Sequence, residues 1–124
     1  MDIYRENVLD HYRNPRNFGK MDNPDAKFHD SNPLCGDEIE IQLKISGGKV
    51  TEVKFQGQGC AISQASASIL TEKLIGMSLE DAMKLEKEQI TEWLGTDLTP
   101  SRLKCALLSL MVAKAAIDEF EKKD

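Results

Sequence analysis

Residues 39–55 read IEIQLKISGGKVTEVKF, and this stretch decides the fold class. Apolar and polar side chains alternate on both sides of the Gly47-Gly48 pair. Alternation of this length is typical of a β-strand with one buried face, and two adjacent glycines favour the tight turn of a hairpin. The stretch therefore predicts two antiparallel strands, over residues 39–45 and 50–55, whose apolar faces must be buried against other elements of the chain.

The segments on either side of this hairpin are predicted to form the elements that pack against it. Upstream, we expect a short amphipathic helix over residues 3–12 and an edge strand over residues 26–30. Downstream, helical spacing and capping residues predict a helix from Cys60 to Ile75, a capped start at Ser78, a short helix over 88–94 and a long helix opened by Thr99-Pro100-Ser101. The last helix is expected to bury one stripe, formed by Leu103, Leu107, Leu110, Met111 and Ile117.

These elements predict an α+β fold. It consists of a small antiparallel three-stranded sheet with helices packed on one face, and it ends in a long C-terminal helix. The chain has 124 residues, which is enough to bury a core, and it shows neither repeats nor a linker. We therefore expect a single domain over residues 1–124.

Composition and charge exclude several classes of protein. Apolar residues make up 40% and charged residues 30% of the chain, which is typical of a globular protein. The net charge of −5 argues against a nucleic-acid partner, and the longest apolar run is too short for a membrane helix. The N-terminus lacks the pattern of a signal or transit peptide. We expect a cytoplasmic location, where thiols stay reduced.

Three cysteines and one aspartate are the candidate functional residues: Cys35, Asp37, Cys60 and Cys105. Together they offer three thiolates and one carboxylate, a donor set suited to Zn²⁺ or to sulfide-bridged iron. The alternative is that the cysteines are small buried apolar residues and the aspartate belongs to a turn. No pair has the short spacing of a structural zinc knuckle, so the fold would have to assemble the site.

The local setting of each thiol favours the metal interpretation. Gly36 allows the backbone to bend so that Cys35 and Asp37 face one point. Cys60 follows a glycine-rich strand end and opens a helix, whose N-terminus favours a thiolate. Arg102 and Lys104 place positive charge near Cys105.

Other residues that often carry chemistry are expected to be structural here. His11 belongs to the amphipathic N-terminal helix, and His29 lies in the edge strand. Trp93 is expected to anchor helix packing, and Met77, Met83 and Met111 are expected to fill gaps in the helical half.

Four stretches of the chain resemble IscU/NifU-type iron–sulfur cluster assembly scaffolds. Residues 10–17 (DHYRNPRN) resemble the opening signature of that family. Residues 32–37 (NPLCGD), 59–63 (GCAIS) and 102–106 (RLKCA) resemble its three ligand motifs, in the same order. The resemblance covers nearly the whole chain.

The resemblance implies a scaffold that is a carrier and not an enzyme. It would receive sulfur as a persulfide from a cysteine desulfurase, bind Fe²⁺, build a [2Fe–2S] cluster and pass it to apo-protein acceptors. Cys35, Cys60 and Cys105 would be ligands and sulfur acceptors, with Cys105 the first choice for the incoming persulfide. Asp37 would be the fourth ligand, and it would keep the cluster labile. Zn²⁺ could occupy the site as purified, and a homodimer of the cluster-loaded form is left open.

Two departures from the family pattern bear on function. The segment before the third cysteine lacks the Leu-Pro-Pro-Val-Lys motif, which argues against a dedicated Hsp70-type chaperone as a partner. Lys104 resembles the SufU branch, whose members bind zinc and relay sulfur, but the interval between Cys60 and Cys105 has no room for the SufU insertion. The sequence thus favours a scaffold over a zinc-dependent sulfurtransferase. A structural zinc domain that binds a partner protein is the third hypothesis.

Overall fold

The structure, a computed structural model, describes residues 3–32, 36–95 and 98–122, with side chains from residue 6 onward. Its elements, in chain order, are α1 (Ile3–Arg13), β1 (Ala26–Asn32), β2 (Asp37–Ser46), β3 (Lys49–Gln58), α2 (Ala61–Leu74), α3 (Leu79–Met83), α4 (Lys87–Leu94) and α5 (Pro100–Lys122). The predicted α+β class, the three strands and the long C-terminal helix are confirmed. All three strands extend beyond their predicted ends.

The sheet is antiparallel, with the strands in the order β1-β2-β3. Gly47 and Gly48 form the predicted turn between β2 and β3, and their φ angles of 60° and 74° are those of a type I′ turn. Asn32 pairs with Asp37, so β2 begins at the aspartate. At the same end of the sheet, Glu38 pairs with Gln58 of β3. The start of β2 and the end of β3 therefore lie side by side.

The core lies between the sheet and the helices. Ile39, Ile41 and Leu43 of the central strand β2 have no exposed surface. Helix α5 covers β1 and β2, while α2 packs against β3 and also contacts α1, α4 and α5. Because α2 has neighbours on several sides, most of its residues are buried. Its run of alanines and serines allows this close packing.

The expected apolar stripe of α5 is partly wrong. Leu110 and Ile117 are buried, but Met111 keeps 60% of its surface exposed, while Leu103 and Leu107 are half-buried. Small residues make up much of the buried face, because they let α5 approach its neighbours closely: Ala106, Ser109, Ala113 and Ala116. A pattern of large apolar side chains alone therefore assigns Met111 to the buried face of α5, although the residue is exposed. Among the described helices, including α5 with its 23 residues, none is long and apolar enough to cross a membrane.

Helix α1 is attached to α2 through a buried histidine. His11 is 7% exposed, and its Nδ1 lies 2.7 Å from the hydroxyl oxygen of Ser68. The same hydroxyl accepts a hydrogen bond from the backbone N–H of Arg16 at 2.9 Å. The Ser68 hydroxyl is thus able to donate to Nδ1 of a neutral imidazole, and Nε2 lies 3.6 Å from Glu72 on the other side of the ring. His11 is structural, as predicted.

This contact predicts a pH dependence of stability. Burial, followed by the charge of Arg16, holds the pKa of His11 below its ordinary value of about 6.5, although Glu72 and Asp10 oppose the shift. Between the two pKa values the unfolded chain binds the proton and the folded chain does not. The contribution of His11 to stability is therefore complete above about pH 6.5 and is lost as the pH falls below that value.

Urea unfolding of the metal-free protein between about pH 7.5 and pH 5 tests this dependence. We expect the free energy of unfolding of the wild type to fall more steeply with decreasing pH than that of His11→Gln, whose side chain does not titrate. His29→Gln, on the exposed side of β1, is the control and should follow the wild type. Parallel curves for the wild type and His11→Gln would contradict the role of His11.

Candidate metal centre

Three of the four predicted ligands come together at one end of the sheet. Asp37 is the first residue of β2, Cys60 is the N-cap of α2, and Cys105 lies in the second turn of α5. One carboxylate oxygen of Asp37 and the two sulfur atoms all lie within 4.8 Å of one another. Cys35, the fourth predicted ligand, is outside the described residues, so its place in the site stays a prediction.

Two glycines allow β3 to bring Cys60 this close to Asp37. A Cβ atom on Gly59, whose φ is 152°, would lie 2.0 Å from Oδ1 of Asp37 and 3.0 Å from its Cα. A Cβ atom on Gly57 would lie 2.1 Å from the backbone oxygen of Glu38. The distances of 2.0 Å and 2.1 Å are far shorter than a van der Waals contact. The glycine-rich end of β3 therefore leaves the space in which Cys60 approaches Asp37.

The carboxylate of Asp37 is buried and tied to the backbone of Cys60. Asp37 is 1% exposed, and its Oδ1 accepts a hydrogen bond from the backbone N–H of Cys60 at 2.8 Å. Its Oδ2 lies 3.8 Å from the sulfur of Cys60, which is only a weak contact. A buried carboxylate needs polar partners, and one of its oxygens already has a firm one. The other oxygen is the one available to a cation between Asp37 and the thiols.

Cys60 combines exposure with a helix N-terminus. Its backbone is extended, with φ −71° and ψ 164°, and its sulfur accepts a hydrogen bond from the backbone N–H of Ser63 at 3.4 Å. The sulfur thus takes the place that a serine or aspartate oxygen has in an ordinary N-cap. The positive end of the helix dipole suits an anionic sulfur ligand there. The side chain of Cys60 is exposed to solvent.

Cys105 is held on the buried face of α5. It is 6% exposed, and its sulfur lies 3.5 Å from the backbone oxygen of Ser101. The next residue, Ala106, accepts a hydrogen bond from the hydroxyl of Ser66 in α2 at 2.6 Å. This bond fixes the start of α5 against α2 and so sets the distance between the two cysteines. Arg102 and Lys104 are exposed, and their charges lie at the solvent side of the same helix.

The donor set fits a single metal ion. Donors bound to one Zn²⁺ at about 2.0–2.3 Å are roughly 3.3–3.8 Å apart in a tetrahedron. The observed group, within 4.8 Å, needs only a small closure to reach that size. Two thiolates and a carboxylate bind Zn²⁺ or iron and leave a position for another ligand. Among the described residues, no other group of three such side chains lies as close together, and neither histidine belongs to this one.

Two polar residues in the first turn of α2 were not singled out from the sequence. Ser63 is 1% exposed and Gln64 is 9% exposed. The hydroxyl oxygen of Ser63 and the amide nitrogen of Gln64 are both buried, and neither has a hydrogen-bond partner within residues 3–32, 36–95 and 98–122. The sequence holds no signal for this, because a run of small and polar residues does not show which hydroxyls find an acceptor.

Known proteins match this chain over nearly its full length. The family model described as the NifU-like N-terminal domain matches residues 3–124. The scaffold protein IscU of Haemophilus influenzae is 38% identical over 97% of both chains. The zinc-dependent sulfurtransferase SufU of Bacillus subtilis is 36% identical over 96% of this chain and 92% of its own. A solved Fervidobacterium islandicum structure, described as a scaffold for the SUF system, has a TM-score of 0.76 and 28% identity over 90% of this chain and 94% of its own. The chain therefore belongs to the family of NifU-like N-terminal domains.

Proposed function

We propose that this protein is a scaffold on which iron–sulfur clusters are assembled. The observation that carries the proposal is the convergence of Asp37, Cys60 and Cys105 on one site at the end of the sheet. Cys35 is the fourth proposed ligand, and the cargo is a [2Fe–2S] cluster that passes to apo-protein acceptors. The relatives named as scaffolds support this function.

Sulfur arrives, in this proposal, as the persulfide of a cysteine desulfurase. The thiolate of Cys105 attacks the outer sulfur of that persulfide. A new S–S bond forms on Cys105 while the S–S bond of the donor breaks, and the donor leaves as a thiolate. Cys60 is the more exposed of the two described cysteines, so it is the competing acceptor.

Conversion of the delivered sulfur to sulfide requires electrons. Two sulfane sulfur atoms take up four electrons to become the two sulfides of the cluster. Oxidation of two Fe²⁺ ions to Fe³⁺ supplies two of these electrons, and a thiol reductant supplies the other two. The protein contributes thiolates and a carboxylate that hold both irons while this happens.

A zinc-dependent sulfur relay is the second candidate function. The same donors suit Zn²⁺, and the relative SufU is named as a sulfurtransferase. However, the alignment with SufU runs over 136 positions, more than this chain has, so residues of SufU have no counterpart here. The Haemophilus scaffold aligns over 124 positions without such an excess. This difference favours assembly over relay.

Metal and sulfide content separates the two functions. The protein would be purified without oxygen and incubated with a cysteine desulfurase, cysteine, Fe²⁺ and dithiothreitol. We expect iron and acid-labile sulfide in near-equal amounts, lost in Cys35→Ser, Cys60→Ser and Cys105→Ser and retained in the control His29→Ala. Persistent zinc with persulfide but no labile sulfide would instead establish the relay.

The carboxylate of Asp37 should control how long the cluster is kept. A carboxylate exchanges more readily on an iron–sulfur cluster than a thiolate does. We expect slower transfer to an apo-ferredoxin from Asp37→Ala than from the wild type. Asp37→Asn is the matched variant, because its amide oxygen can still accept the hydrogen bond from the backbone N–H of Cys60. A less persistent cluster in both variants would contradict the role of the carboxylate.

The close approach of Gly59 to Asp37 should be needed for metal binding. In Gly59→Ala the added Cβ atom would displace the carboxylate, and we expect Zn²⁺ affinity to fall by at least about tenfold. Gly19→Ala is the matched control, because Gly19 also has a positive φ, 134°, but a Cβ there meets nothing within 4 Å. Chelator competition measures the affinity and urea unfolding measures the strain. Equal Zn²⁺ affinity in the two variants would contradict this contact.

A further inference from the structure

The hydroxyl of Ser63 is a buried hydrogen-bond donor that has no acceptor among the residues that the structure describes. The residue itself is 1% exposed. A serine inside a helix usually bonds to the backbone carbonyl of the preceding turn, and buried polar groups are nearly always paired. A donor that stays unpaired next to a ligand site therefore points to an acceptor that arrives with the ligand.

Ser63 adjoins Cys60 and lies on the side of α2 that faces the start of α5. Its backbone N–H donates to the sulfur of Cys60 at 3.4 Å, so the residue adjoins one ligand directly. Three residues later on the same helix face, Ser66 bonds to the backbone oxygen of Ala106, the neighbour of Cys105. The side of α2 that carries Ser63 thus faces the start of α5. Gln64 lies instead on the side of α2 that faces α1, because Ser68, four residues later on the same helix face, contacts α1.

We propose that the hydroxyl of Ser63 donates a hydrogen bond to the anionic sulfur atom held between Cys60 and Cys105. This inference rests on the proposed function, since the sulfur belongs to the cargo. The atom has two sources, a bridging sulfide of the cluster or the outer sulfur of a cysteine persulfide. Both are anionic acceptors of hydrogen bonds. Bound Zn²⁺ alone brings no such sulfur atom. The hydrogen bond of Ser63 therefore forms with sulfur cargo and not with the metal ion alone.

The proposal predicts opposite effects in the empty and loaded protein. Without cargo, Ser63→Ala removes an unpaired buried hydroxyl, so the metal-free protein should be as stable as the wild type or more stable. With a cluster bound, the same variant loses a hydrogen bond to sulfide. Hydrogen bonds to cluster sulfur atoms are among the factors that set the reduction potential, and removing one makes it more negative. A residue with a purely structural role would instead destabilise the empty protein.

The experiment compares the wild type with Ser63→Ala, the conservative variant Ser63→Thr and the control Ser68→Ala. Ser68 is a buried serine of the same helix, but its hydroxyl is already paired with His11 and with the backbone N–H of Arg16 on the side that faces α1. One arm loads each protein with iron, desulfurase, cysteine and dithiothreitol, and measures the reduction potential and the rate of sulfide loss. The second arm omits iron and the reductant and measures the lifetime of the persulfide. Urea unfolding of the metal-free forms completes the set.

We expect Ser63→Ala to show a more negative potential and roughly fivefold faster sulfide loss, with both restored by Ser63→Thr. Ser68→Ala should lower the stability of the metal-free form, because it leaves the buried His11 without its partner, and it should leave the potential unchanged. An effect on the persulfide lifetime alone would support the proposal with the persulfide as the acceptor. An effect on the cluster alone would support it with sulfide as the acceptor.

Two results would overturn the proposal. The first is a Ser63→Ala variant that matches the wild type in both arms while the wild type assembles clusters, which would leave the scaffold function intact. The second is a loss of metal-free stability in Ser63→Ala like that in Ser68→Ala, with no change in potential. If the wild type itself takes up neither sulfide nor persulfide, the proposed function fails and the inference fails with it.

Discussion

The hydrogen bond from the backbone N–H of Cys60 to the carboxylate of Asp37 is the contact on which the site depends. It is 2.8 Å long and joins the first residue of β2 to the N-cap of α2. A carboxylate that is 1% exposed needs such a partner. Gly59 has no Cβ atom that would keep the carboxylate away from the backbone of Cys60. One interaction therefore pairs one oxygen of the buried carboxylate and fixes the carboxylate beside the residue that caps the helix and carries the thiol. A substitution at Asp37, Gly59 or Cys60 therefore changes the positions of the other two residues.

The third donor is placed by packing between helices. Helix α2 is rich in alanine and serine, and α5 presents small residues to it, so the two helices approach closely. The hydroxyl of Ser66 then bonds to the backbone of α5 beside Cys105. The donors thus sit on a strand, a helix cap and a helix interior, which are stiffer supports than loops. A site built in this way can keep its shape while it exchanges what it holds.

Much of the fold could be predicted from local patterns, whereas the contacts of the site could not. The Gly47-Gly48 hairpin, the Ser78 cap and the start of α5 follow from residue types over a few positions, and the structure has them. Met111 was misplaced because the burial of α5 follows small residues that let helices approach, a property of the pair of helices. The bond between Asp37 and Cys60 spans 23 positions and depends on strand register. The unpaired hydroxyl of Ser63 is beyond sequence patterns, since pairing is decided by the surrounding atoms.

The different exposure of the two described cysteines bears on how a scaffold handles its cargo. Cys60 is open to solvent, whereas Cys105 is 6% exposed and lies on the buried face of α5. A growing cluster is better protected where water is excluded, whereas delivery and release need a side that is open to solvent. A site that straddles the surface meets both needs, with the sulfur of Cys60 at the open side and that of Cys105 at the buried side. The buried carboxylate of Asp37 lies beside both. In the proposed function it is the weaker ligand for iron–sulfur cargo, so we expect release to begin there.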